Sequence, residues 1–143
     1  MQAMEIEGYP IPGVAALSVH APDEDCAQIE TIFRRCRWTL RSSPNVNSAV
    51  AALRRYRLPV VLCDGENWKE MLERTRDLPE APLLVVTSRV ADEYLWAEAL
   101  NLGAYDVLPK PFDTNEVVRV VSLAWLHSKN DPIALPASSA MVA

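Results

Sequence analysis

Five times between residues 14 and 129, a short apolar run gives way to a segment in which apolar side chains return every three to four positions. The runs are "VAALSVH", "RWTLRS", "LPVVLCD", "PLLVVTS" and "YDVLP", of which "RWTLRS" is the weakest. Short runs of this kind read as strands and the longer periodic segments as helices. Strands that alternate one for one with helices pair in parallel, because a parallel neighbour can be reached only by a crossover long enough to hold a helix. "LPVVLCD" has no polar face, as a central strand covered by helices on both sides requires. The fold expected is α/β, a doubly wound five-stranded parallel sheet flanked by helices.

The helical segments carry their own punctuation. In "PDEDCAQIETIFRRCR" the apolar stripe is Cys26, Ile29, Ile32, Phe33 and Cys36, and the acids occupy the first turn, where the helix dipole favours them. Val46, Val50 and Leu53 mark the second helix, and Trp68, Met71, Leu72 and Thr75 the third. Gly103 stops the fourth, and Asp113 or Thr114 opens the fifth with Glu116 in its first turn.

With 143 residues there is material for one core and not for two. Residues 1–13 read as an N-terminal extension, 14–129 as the domain, and 130–143, "NDPIALPASSAMVA", as a flexible tail. No apolar run approaches the roughly 20 residues of a membrane span. The start "MQAMEIEGYPIPG" has neither the basic head nor the apolar stretch of a secretory signal, so a cytoplasmic protein is expected. A net charge of -5 argues against direct nucleic-acid binding. Arg34, Arg35, Arg37, Arg41, Arg54, Arg55 and Arg57 read as solvated helix ends and loops. Cys26, Cys36 and Cys63 are odd in number and form no CxxC pair, which points to buried free thiols rather than to a disulfide or zinc framework.

In an open doubly wound sheet, ligands bind beyond the carboxyl ends of the strands. The residues there are His20 to Glu24, Asp64 to Glu66, Thr87 with Ser88, and Lys110. Asp64, Thr87 and Lys110 bring together a carboxylate, a hydroxyl and an ammonium. Lys110, held between Pro109 and Pro111, can pair with Asp64 or with anionic oxygens attached to it. A carboxylate so placed can accept a phosphoryl group as nucleophile while the hydroxyl and ammonium bind the transferred oxygens. His20 is read as a polar strand-end residue, and His127 as a favourable charge at the end of the last helix or a surface residue.

The stretch "PLLVVTSRVADEYLWAEALNLGAYDVLPKPF" resembles the second half of a bacterial response-regulator receiver domain, and "LPVVLCD" is similar to that family's third strand. The likeness runs over about residues 14–129. It implies a CheY-like, flavodoxin-type fold with Asp64 as phosphoacceptor, Thr87 and Lys110 contacting the phosphoryl group, and a cis peptide before Pro111. It also implies magnesium, but His20 and Ala21 stand where the family puts two acids, leaving Asp64 with Asp23, Glu24, Asp25 or Glu66 as ligands. Val107 stands at the aromatic switch position, with Tyr105 two residues earlier on the same strand face by parity. Tyr94, Trp96, Tyr105 and Trp125 suggest a contact face on the fourth and fifth units, for a homodimer or a partner.

The function expected is therefore a non-enzymatic receiver of a two-component phosphorelay, degenerate at its metal site and acting by protein–protein contact. One alternative is a competent, magnesium-dependent phosphoacceptor served by a histidine kinase. Another, of a different class, is a small flavodoxin-like enzyme or nucleotide binder. Against that last reading stand the absence of a glycine-rich loop after the first strand and the acids of "HAPDED".

Overall fold

The computed structural model describes residues 10–20 and 24–130; most of the expected extension, the tail from residue 131 and Asp23 lie outside the described residues. The strands are β1 (Ala15–Val19), β2 (Thr39–Ser43), β3 (Val60–Asp64), β4 (Leu83–Ser88) and β5 (Asp106–Pro109). Between and after them run α1 (Glu24–Arg35), α2 (Val46–Arg55), α3 (Trp68–Thr75), α4 (Glu93–Leu102) and α5 (Thr114–Asn130). All neighbours pair in parallel in the order β2-β1-β3-β4-β5. The chain leaves β1 toward one edge and leaves β3 toward the other, so a crevice opens beyond the carboxyl ends of these two strands.

Two apolar layers sandwich the sheet. On one face Ile29, Ile32 and Phe33 of α1 and Val117, Val120, Val121 and Ala124 of α5 pack on Ala16, Val60, Leu62, Val85 and Leu108. On the other, Val46, Ala49 and Val50 of α2, Trp68 and Met71 of α3 and Ala99 of α4 pack on Leu17, Val19, Val61, Cys63, Leu84, Val86 and Val107. Period-two alternation along β1, β3, β4 and β5 supplies both layers at once, which is why β3 reads as continuously apolar. The three cysteines are buried and form no disulfide.

Local chemistry sets the helix ends. Asn45, Asp92 and Asp113 accept from the backbone N–H of Ser48, Leu95 and Glu116 at 2.9, 2.9 and 3.0 Å, closing the first turns of α2, α4 and α5. Gly103 ends α4 at φ 111°, a left-handed conformation that a Cβ would strain. One sequence expectation is corrected here. Tyr105 does not share a strand face with Val107: β5 begins at Asp106, so alternation does not reach back to Tyr105, and its ring packs with the α1/α5 layer while Val107 lies in the opposite one.

Candidate functional site

The ends of β3, β4 and β5 are aligned by register. Asp64 lies opposite Thr87, Ser88 lies opposite Pro109, and the Lys110 backbone N–H donates to the Ser88 carbonyl at 2.9 Å. Thr87 is buried. The turn after β3 approaches the turn after β4 so closely that a Cβ on Gly65 would lie 3.4 Å from Ser88 Oγ. Asp64 itself is turned toward its own loop: Oδ1 accepts from Asn67 Nδ2 at 3.1 Å and from the Glu66 N–H at 3.3 Å. Such a bond from Asp to a following backbone N–H is the usual way this side chain fixes a tight turn.

Lys110 has a different partner from the one its sequence position suggested. Its ammonium lies 3.6 Å from Oδ2 of Asp25, not on Asp64, and the Asp25 and Lys110 side chains are each only 10% exposed. The same carboxylate is forked by Arg89, whose Nη2 donates to Oδ1 and Oδ2 at 2.9 Å each. Three residues further along α1, Gln28 clamps the loop that follows the cis Lys110–Pro111 peptide: its Nε2 donates to the Phe112 carbonyl at 3.0 Å, and its Oε1 accepts from the Phe112 N–H at 3.1 Å. Residues three apart share a helix face, so Asp25 and Gln28 together fasten the start of α1 to the loops after β4 and β5.

Sequence reasoning placed Asp25 among acids that a helix start welcomes. A sharper signal was present, because 25, 29, 32 and 36 fall on one helical stripe whose other members are apolar. An acid on a buried stripe needs a cation. Nothing in the sequence marks Arg89 as that cation.

The remaining metal candidates do not assemble. Glu24 and Glu66 are exposed, and Asp23 is outside the described residues. Among the described residues no group of three or more His, Cys, Asp or Glu side chains could hold a metal ion. Magnesium takes near-octahedral oxygen ligands, and Asp25, the buried carboxylate of the crevice, already faces two cations. These residues do not fit the ion. At the end of β1, His20 donates its backbone N–H to the Ser43 carbonyl at 3.0 Å, and its Nδ1 shares a 2.9 Å hydrogen bond with Ser18 Oγ. Cys63, beside Asp64, is no alternative nucleophile: burial, then the charges of Asp64 and Glu70, push its thiol far up, and the thiol form is a poor nucleophile.

The four aromatic candidates separate. Tyr94 on α4 is 87% exposed, whereas Trp96, Tyr105 and Trp125 are half-buried against the core layers. Tyr105 Oη and His127 Nδ1 lie 2.6 Å apart with their rings edge to face, so His127 is part of a side-chain pair rather than a bare helix-end charge. Burial, then the Asp106 carboxylate, pushes the Tyr105 phenol up, with Arg119 pulling the other way.

No family model matches the chain. A response regulator from Chloroflexus aurantiacus superposes with a TM-score of 0.73 at 20% identity, covering 80% of this chain and 98% of that one. The co-crystal structure of the Saccharomyces cerevisiae phosphotransfer protein Ypd1 with the receiver domain of Ssk1 gives 0.72 at 16% identity, covering 81% and 91%. The chain has the receiver fold. In sequence it is similar to the DNA-binding transcriptional regulator NtrC of Azospirillum brasilense, 34% identical over 79 residues, which are 55% of this chain and 16% of that regulator. Within this receiver fold Asp64 ends β3, Thr87 stands one residue before the end of β4 and Lys110 follows β5, while the carboxylate that engages the lysine comes from α1.

Proposed function

We propose that the chain is a signalling receiver module of a two-component pathway that works by protein–protein contact, and that its phosphoacceptor crevice has lost its metal-assisted chemistry. The observation that carries this reading is the engagement of Lys110 by Asp25, with Arg89 on the same carboxylate. A lysine so held is not directed at oxygens on Asp64, and among the described residues no group of three or more His, Cys, Asp or Glu side chains is assembled to bring magnesium there. The test is incubation with magnesium and acetyl phosphate followed by intact-mass analysis. No phosphoryl adduct is expected.

A second reading has its own support in the register that puts Asp64 opposite Thr87, one strand from Lys110. On it, an Asp64 oxygen attacks phosphorus, the bond to the donor's leaving group breaks, and an acyl phosphate forms; the physiological donor would be a histidine kinase or a phosphotransfer protein in the cytoplasm. A single adduct in the native chain that disappears in Asp64→Asn would establish this reading and sink the first.

The contact face proposed is that of the fourth and fifth units. Here α4 exposes Tyr94, Leu100 and Leu102, and α5 exposes Leu123 and Leu126. Exposed aromatic and aliphatic side chains of this kind suit the apolar centre of an interface. Sedimentation of the native chain and of Tyr94→Asp decides who covers it: a dimer that the variant weakens points to a second copy, and a monomer throughout points to a different protein.

A further inference from the structure

We infer that residues 131–136 of this chain, "DPIALP", seat in an apolar groove at the amino end of the sheet, crossing from the end of α5 toward the end of α2. The groove lies at the opposite end of the sheet from the crevice, so this contact stands apart from the function proposed above.

The loops that feed the strands build the groove. Leu58 precedes β3 and Leu83 opens β4, while Leu53 on α2 and Leu78 in the turn after α3 close the sides. Pro59 and Pro79 fix φ in two of its walls, so the trough is formed before anything enters it. Its volume of about 810 Å³ falls in the range of ligand sites. On the rim stand Arg54, Arg55 and Arg57 against one acid, Glu80, which is already paired with Arg57.

Three features of the chain name the occupant. The first is delivery: α5 runs to Asn130, and Ser128 in its last turn lines the groove. The residues that follow therefore start at the rim, and six of them extended reach about 20 Å, about twice the diameter of a helix. The second is charge. Asp131 follows a helix C-terminus, where the dipole opposes an acid, and it is the single charged side chain of 131–143. Lys129 is turned over the ring of Trp125, 4.8 Å from its centre, which leaves the arginines of the rim as the counter-charge. The third is pattern. The residue before a proline avoids the helical region, so Asp131–Pro132 turns the chain off the axis of α5, and Ile133 and Leu135 then flank the small Ala134. In extended form the two large apolar side chains face the same way, as a trough walled by leucines requires.

Tethering decides between this segment and a free partner. A peptide joined to the rim by one or two residues meets the groove at an effective concentration in the millimolar range, and a free partner of equal affinity competes poorly with it.

The experiment is methyl and backbone amide NMR on the full chain. Nuclear Overhauser effects are expected between the methyl groups of Ile133 or Leu135 and those of Leu53, Leu58 or Leu83, unchanged on dilution. A chain carrying both Ile133→Asp and Leu135→Asp should lose them and shift the amides of Leu58, Ala81 and Leu83, which line the groove. The amides of Asp64 and Lys110, at the other end of the sheet, should stay in place and show that the fold is kept. Contacts that appear only between labelled and unlabelled chains in a mixed sample assign the groove to a second copy and overturn the inference. So does a segment 131–136 that makes no contact with the groove, or a double variant whose groove amides do not move.

Discussion

The two ends of the sheet use the same kinds of charged residue in opposite ways. Beyond the carboxyl ends of the strands, Asp25, Arg89 and Lys110 arrive from three distant parts of the chain, and two of the three side chains are nearly dry. At the amino end, Arg54, Arg55, Arg57 and Glu80 rim a groove of about 810 Å³ walled by Leu53, Leu58 and other apolar side chains. There the Arg57–Glu80 pair stays 75% and 65% exposed, and Arg41 lies over the face of Tyr56 at 3.5 Å from the ring centre. Water decides the difference. A solvated pair gives back in lost hydration and side-chain freedom most of what it gains by attraction, whereas a buried charge cannot lose its partner without a large cost.

The largest expected effect tests that contrast where it is strongest. Asp25→Ala removes the carboxylate from beside a lysine that is 10% exposed, leaving an ammonium with neither water nor counter-charge. Breaking a buried pair from one side costs about 3–5 kcal/mol, and because Arg89 can turn out to solvent the expected loss lies near the lower end, about 3 kcal/mol. Urea unfolding of the two chains measures it directly. A loss no greater than that of a surface substitution would mean that the Asp25–Lys110 pair is not as dry as its 10% exposure shows.

The same contrast explains what could be read from the sequence. Five strand–helix units, their parallel pairing and the caps at Asp113 and Gly103 follow from periodicity and from bonds to residues three or four positions away, and the caps at Asn45 and Asp92, which the sequence reading did not name, are of the same local kind. The amino-end arginines were legible for the same reason: Arg54 and Arg55 sit in the last turn of α2, where the dipole welcomes them. The carboxyl-end trio was not, since Asp25 and Arg89 are 64 residues apart and only the packing of α1 against the β4 and β5 loops brings them together. Asp64, Thr87 and Lys110 could be placed because each lies at the end of a strand or next to it, but which anion the lysine meets is a tertiary fact. Tyr105 failed for a local reason, the strand starting one residue later than the apolar run.

Asp106 sharpens the comparison as a half-buried acid that no cation among the described residues pairs with. Burial pushes its carboxyl up; the hydrogen bond from the Val107 N–H and the charge of Arg119 pull it down by less. Its folded value therefore lies above its unfolded one, and between the two the folded chain holds the extra proton. Stability falls as pH rises through that window, and the penalty is fully present at neutral pH. Asp106→Asn keeps an acceptor for Val107 and removes the charge. The variant should be more stable than the native chain at neutral pH, and the gap should close as pH drops below the ordinary Asp range. Thermal melts at a series of pH values measure this, and a gap that does not change with pH would show that the charge is not the cause.

The smallest effect is the complement of the first. Glu80→Gln neutralises one member of the exposed pair with Arg57 at the rim of the amino-end groove, where both groups remain hydrated with or without each other. Surface pairs of this kind are worth about 0–1 kcal/mol, and here the expected change is about 0.3 kcal/mol, fading further with added salt. The measurement is the same urea curve used for Asp25→Ala, run at low and high ionic strength. A loss comparable to that of Asp25→Ala would mean that the groove orders these side chains far more than their exposure indicates. If instead the two variants differ by several-fold, one sheet carries a charge cluster it cannot do without at one end and a dispensable one at the other, and burial rather than charge count separates them.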